Sequence, residues 1–191
     1  MFRSLNIAAT GMAAQETKLD TISNNLANVS TTGYKRQSAE FEDLLYQNLR
    51  SATPNAQGGT APSGTQVGTG VRVVTTSRSM AQGATLQTNN PLDVAIEGAG
   101  FLTVTKANGE VGYTRTGSLK MDATGRLVTN DGLAIEPPIN IPTDATAVTI
   151  ASDGTISATT AAGRSTVQLG QLQIATFPNP NGLEATGHNL F

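Results

Sequence analysis

The amino-acid sequence predicts an α+β chain: a long N-terminal heptad helix, then an extended arm, then a mainly antiparallel β domain. Three observations carry that reading. The first stretch repeats its apolar residues at helical spacing, and the middle is a run of Ser, Thr, Pro, Gly, Asn and Ala. From Val71 onward the apolar period shortens to two, with glycine-containing turn signals between the runs. The corresponding segments are 1–36 (axial helix), 37–70 (a short helix and the arm) and 71–191 (the β domain).

Leu5, Ala8, Met12, Gln15, Leu19, Ile22, Leu26 and Val29 follow one another at gaps of 3, 4, 3, 4, 3, 4 and 3, a heptad seam with one polar position. At roughly 1.5 Å per residue, a helix from Ser4 to Val29 extends about 39 Å, which is longer than a small domain is wide. Gly11 and the asparagines Asn24, Asn25 and Asn28 are poor helix formers, so burial of the seam has to supply the stability. Covering Leu5, Met12, Leu19, Ile22 and Leu26 is worth on the order of 10 kcal/mol before the entropy of ordering them. The pattern therefore predicts a subunit interface made with partner helices. A helix lying on its own domain is the competing reading.

The helix is expected to stop in Ser30-Thr31-Thr32-Gly33, with Gly33 in the left-handed conformation. Ser38 then reads as the cap of a short second helix reaching Arg50, with Glu40, Glu42 and Asp43 in its first turn and Phe41, Leu44, Leu45 and Leu49 on one face. Ser51 to Gly70 lacks the apolar residues to fold alone and reads as an arm. Short β-rich runs follow at Val71 and Val73, Val94 and Ile96, Phe101–Val104, Val111–Tyr113, Leu127 and Val128, Val148 and Ile150, and Val167–Phe177. Between them stand Asn108-Gly109, Thr124-Gly125, Asp131-Gly132, Asp153-Gly154 and Ala162-Gly163. In the last run the apolar phase moves from Val167 and Leu169 to Leu172 and Ile174 with Gly170 at the change, which predicts a bulge or bend.

Composition narrows the function. A formal net charge of -2 provides no electrostatic footprint for nucleic acid or an anionic membrane. Zero Cys excludes disulfides and thiolate metal sites. Aromatic content of 4% without Trp argues against a large enzyme pocket. No run of 18 apolar residues exists, and the N-terminal stretch, with Arg3 its one basic residue and Asn6, Thr10, Gln15 and Glu16 interrupting it, makes a poor cleaved signal peptide. His188 is the single histidine, and neither a G-x-S-x-G elbow nor a Walker motif is present. Gly98-Ala99-Gly100 lacks the third glycine of a dinucleotide site. Asp93 and Glu97, four apart on an extended strand, stand about 13 Å from each other, too far for a glycosidase pair. Asn28-Val29-Ser30 fits a glycosylation acceptor but falls at a helix end. No catalytic residue, cofactor, metal or small-molecule substrate is expected.

Ser23-Asn24-Asn25-Leu26-Ala27-Asn28-Val29-Ser30-Thr31-Thr32-Gly33-Tyr34-Lys35 resembles the N-terminal signature of bacterial flagellar rod and hook proteins. The resemblance continues through Thr88–Gly98 with Gly100-Phe101, Tyr113–Gly117 with Gly125–Val128, and Gly182–Glu184 with Gly187–Phe191. Phe41–Gln47, Pro62-Ser63-Gly64 and Val67–Val71 resemble the distal-rod branch most closely. The signature residues carried over are Asn24, Asn25, Asn28, Thr31, Gly33, Tyr34 and Lys35. Membership implies an axial structural subunit of the basal body, self-associating through helical termini into a tube that carries torque across the periplasm. It implies neighbouring rod and hook subunits and surrounding ring proteins as partners, and export by the flagellar type III apparatus. It also implies that the arm, here about Leu49 to Gly70, wedges between subunits. A proximal rod or hook subunit is the alternative within the family, and a periplasmic carbohydrate-active or wall-binding β domain the alternative outside it. Family members pair the first helix with a C-terminal heptad helix, which this chain, ending at Asn189-Leu190-Phe191, is expected to lack.

Overall fold

The computed structural model describes residues 2–50, 64–160 and 166–191, so most of the arm and the Ala162-Gly163 turn signal lie outside the described residues. The chain divides into two compact units, one of residues 1–30 and 35–79, the other of residues 31–34 and 80–191.

In the first unit, helix α1 runs over Phe2–Ala27. It stops earlier than Gly33 because the asparagines cap it: the Asn28 side chain donates to the Asn24 carbonyl and to Asn24 Oδ1, both at 3.0 Å. Gly33 does have a positive φ of 76°, but in the separate turn closed by Tyr34 N–H to the Thr31 carbonyl. Strands β1 (Gln37–Asp43), β2 (Gln47–Arg50), β3 (Thr65–Val67) and β4 (Val71–Arg78) follow. β1 and β4 form an antiparallel ribbon from Gln37 opposite Arg78 to Asp43 opposite Val71, with a bulge at Glu40/Phe41, and β2 pairs with β3. The short helix expected over Ser38–Arg50 is thus replaced by two strands. Period-two alternation explains it: Gln37, Ala39 and Phe41 are half-buried while Ser38, Glu40 and Glu42 face solvent. A pairing partner 28 or more residues away, rich in Val and Thr, outweighs a weak local helix preference.

In the second unit, β5 (Phe101–Thr105), β6 (Val111–Thr114), β7 (Leu119–Met121), β8 (Leu127–Thr129) and β9 (Ala134–Glu136) are followed by β10 (Ala145–Ile150), β11 (Thr155–Thr160), β12 (Thr166–Gln171) and β13 (Ile174–Ala175). A six-stranded sheet has the order β13-β5-β9-β8-β7 with β6 also paired to β5, and β10-β11-β12 form a second, three-stranded sheet. All named pairs are antiparallel. Leu102, Val104, Leu119, Leu127, Ile135, Ile139, Ile141, Ile156 and Leu190 form the core, drawn from both sheets and from the loops between them. The predicted turns at Gly109, Gly125, Gly132 and Gly154 all place their glycine at positive φ. Gly125 is the most constrained, since a Cβ there would lie 2.4 Å from the Ile141 carbonyl oxygen. The expected bulge is present: Ile156 faces Gly170 and Ser157 faces Gln168, leaving Leu169 without an opposite residue. Among the described residues no helix is long and apolar enough to cross a membrane.

Candidate functional site: the outward stripe of the N-terminal helix

Helix α1 has two unlike sides. Ile7, Thr10, Gly11, Ala14, Thr17, Thr21 and Asn25 are buried or half-buried, and the helix makes its contacts with β1 and β4. Small residues let the backbones approach: Gly70, at φ 134°, lies where an added Cβ would be 2.4 Å from Thr10 Oγ1. The hydroxyls on this side are satisfied within the helix. Thr10 donates to the Ile7 carbonyl (2.9 Å), Thr17 to Ala13 (3.1 Å) and Thr21 to Thr17 (2.8 Å). Asn25 is the anchor. Its amide donates to the Gln37 carbonyl at 2.7 Å and its Oδ1 accepts the Gln37 N–H at 2.9 Å, so one side chain imitates a strand neighbour at the start of β1.

The other side carries the heptad. Leu5, Met12, Leu19, Ile22, Leu26 and Val29 are between 51% and 75% exposed, and Ala8 and Gln15 between them are exposed as well. A shallow groove lined by Ala8, Gly11, Met12, Gln15 and Leu19 runs along it, with Glu16 and Asp20 at its margin. Seven of the eight seam residues lie on the helix and Val29 lies two residues past its end. The signature residues are placed differently. Asn24, Asn25 and Asn28 cap and anchor the helix, Thr31 and Gly33 shape the following turn, Tyr34 is half-buried and Lys35 is buried. Sequence reasoning missed the inward stripe, although Ile7, Thr10, Ala14, Thr17, Thr21 and Asn25 recur at gaps of three and four.

A second concavity, in the β unit, is polar and lined by Thr32, Thr114, Thr116, Thr129, Asp131, His188 and Asn189. His188 Nδ1 stands 3.9 Å from Asp131 Oδ1, and both side chains are largely exposed. The Thr114 hydroxyl donates to the Asn189 carbonyl (3.0 Å) and accepts from Thr116 N–H (3.2 Å), so it is committed to holding the loops rather than free to attack a substrate. Asp93 accepts from Asn90 across its own turn (2.9 Å). Among the described residues no group of three or more His, Asp or Glu could hold a metal ion. Among the described residues two titrations are displaced, both on the surface: a hydrogen bond to Asp43 raises the Tyr46 phenol, and the Thr155 N–H lowers the Asp153 carboxyl.

Residues 5–35 match the flagella basal body rod protein family, and residues 95–158 match the flagellar hook protein FlgE/F/G D1 domain. The flagellar basal-body rod protein FlgG of Buchnera aphidicola subsp. Acyrthosiphon pisum is 49% identical over 100% of this chain and 74% of its own length. That of Agrobacterium fabrum is 47% identical over 99% of the chain and 73% of its own length. By contrast, the flagellar hook protein FlgE of Helicobacter mustelae is 41% identical over 71% of the chain and only 30% of its own length. With residues 5–35 matched by the rod family and this chain aligned over 99–100% of its own length with rod-protein relatives, the chain belongs to the flagellar basal-body rod proteins, in their distal-rod branch, and is a structural subunit of the rod.

Proposed function

We propose that the subunit polymerises through the outward stripe of α1, with Leu5, Ala8, Met12, Gln15, Leu19, Ile22, Leu26 and Val29 buried against helices of neighbouring subunits in the wall of a tube. One observation carries the proposal: five large apolar side chains at heptad spacing on one side of a 26-residue helix, with Val29 just past its end, are left 51% to 75% exposed. The opposite side is occupied by the β1–β4 ribbon, so the stripe has no use for it. In this reading residues 1–36 are the axial element, the arm within 37–70 fits between subunits, and the β residues up to 191 form an outer layer. The tube carries torque across the periplasm to the hook, inside ring proteins, after export without a cleaved signal peptide. The subunit has no catalytic role. Committed hydroxyls around the single histidine give no support to the carbohydrate-active alternative.

Replacing Leu19 with Asp tests the reading. Circular dichroism and melting of the free subunit should be unchanged, while a desolvated carboxylate at each repeat costs several kcal/mol per subunit and abolishes rod assembly and motility. Equal damage to the free subunit would make the stripe ordinary core and refute the proposal.

A further inference from the structure

The sheets of this chain treat their edges unequally. An open strand edge is a template for pairing with another chain, and proteins guard against it with charges, short strands or cover. The β1–β4 ribbon carries Glu40, Glu42, Asp43, Arg72 and Arg78, and β2 carries Arg50. In the six-stranded sheet β7 has three residues including Lys120 and β13 has two residues. The free side of β6 is covered, because Tyr113 and Phe191 exchange two backbone hydrogen bonds of 2.9 and 2.8 Å. Among the described residues the three-stranded sheet has none of these devices on its regular stretches: ATAVTI and TVQLGQ contain no charge and no proline, both are outer strands, and, apart from the Pro142 carbonyl accepting the Ala145 N–H, no described backbone group outside the sheet pairs with them. Bulges limit but do not close them, leaving Ala147–Ile150 of β10 and Thr166–Gln168 of β12 regular.

We infer that β10 of one subunit pairs with β12 of the next, continuing the three-stranded sheet from copy to copy. Resting on the polymerising-rod reading for its second copy, the inference adds a contact on the β unit, independent of the helix stripe. The occupant follows from chemistry. A charged edge brought against β10 would lose its hydration without a counter-charge, whereas β12 brings only uncharged groups. Joining β10 to β12 is also a head-to-tail contact that propagates, whereas β10 against β10 closes a dimer and stops growth. Across the sheet, Thr149, Ser157 and Gln168 form one row and Ala147, Thr159 and Thr166 another, and their exposed ends continue into a neighbour's rows.

The chain has no cysteine, so introduced thiols report this contact alone. Thr149→Cys with Gln168→Cys, and separately Ala147→Cys with Thr166→Cys, are made in the full-length protein and oxidised in isolated basal bodies. Within one chain the two positions are two strand spacings apart, about 9.6 Å, beyond the roughly 4.4–6.8 Å that a disulfide spans. Any disulfide therefore joins two copies. The expected result is a ladder of dimers and higher multimers from at least one double variant, and monomers from each single variant. Monomers only from both double variants, in basal bodies that contain the protein, overturn this contact and leave the rod reading standing. Dimers from Thr149→Cys alone overturn the head-to-tail arrangement. Basal bodies devoid of the protein overturn both readings.

Discussion

Leu119 and Leu19 are the same side chain in opposite circumstances. Leu119 of β7 is 0% exposed among Leu102, Leu127, Ile135 and Ile156, whereas Leu19 of α1 is 62% exposed on a helix with one buried residue, Ala14. The β unit closes its core with its own strands and loops. The helix-and-ribbon unit uses its small and hydroxylated residues to close on itself and leaves its large apolar residues outside. Under the proposed assembly, the burial that stabilises the fold and the burial that stabilises the polymer fall to different residues, so mutations should separate them.

The sharpest separation comes from truncating each leucine in the free subunit. Leu119→Ala should cost about 2–5 kcal/mol in urea unfolding, as a cavity in a closed core. Leu19→Ala should stay within about 0.5 kcal/mol. Equal losses would erase the contrast. Next is Arg115, whose guanidinium donates to the carbonyls of Gly100 (3.0 Å), Ile96 (3.4 Å) and Gly98 and so ties down the loop entering β5. Arg115→Ala should lower stability by about 2 kcal/mol. Arg115→Lys should recover little of it, because an ammonium cannot span three acceptors as a planar fork does. Full recovery by Lys would show that charge alone suffices.

Asn25 sharpens the comparison from the other unit. Asn25→Ala should cost about 1 kcal/mol and speed hydrogen exchange at Gln37. Asn25→Asp, which keeps the acceptor but turns a carboxylate toward the Gln37 carbonyl, should do at least as much damage. Amides of β5 to β9 should be unaffected by either change, and their loosening would mean that the two units do not respond separately. The smallest effect is at Asp153, which accepts the Thr155 N–H at 2.9 Å in the β10–β11 turn. The bond favours the charged carboxylate and holds its pKa below the ordinary value when folded. Its stabilisation is present above the unfolded pKa and disappears as pH falls through the folded one. Asp153→Asn should remove that acid-side component from the pH dependence of melting. An unchanged acid limb would show that the turn does not depend on the charge.

The seam's alignment was legible because heptad spacing is a local property: Leu5 to Leu26 fall on one side of α1, and the structure leaves the large ones among them exposed. Glycine turns were legible for a similar reason, since positive φ at Gly109, Gly125, Gly132 and Gly154 is a local demand. Strand β1 was not. Glu40, Glu42 and Asp43 make good helix starters by local rules, and only Val71–Arg78, far along the chain, turns them into the solvent side of a ribbon. The inward stripe was hidden by its composition, because Thr10, Thr17 and Thr21 look polar until their hydroxyls are found bonded to the helix's own carbonyls.

The register of the ribbon also bears on how the arm tolerates change. Pairing Asp43 with Val71 and β2 with β3 leaves residues 51–64 as the connection between paired strands, and the entropic cost of closing such a connection rises only as the logarithm of its length. Doubling the insert would cost only about 0.6 kcal/mol more. Residues can therefore be added to or removed from the arm while the helix and ribbon keep their stability. In the proposed assembly, where the arm fits between subunits, its length answers to their spacing rather than to the demands of folding.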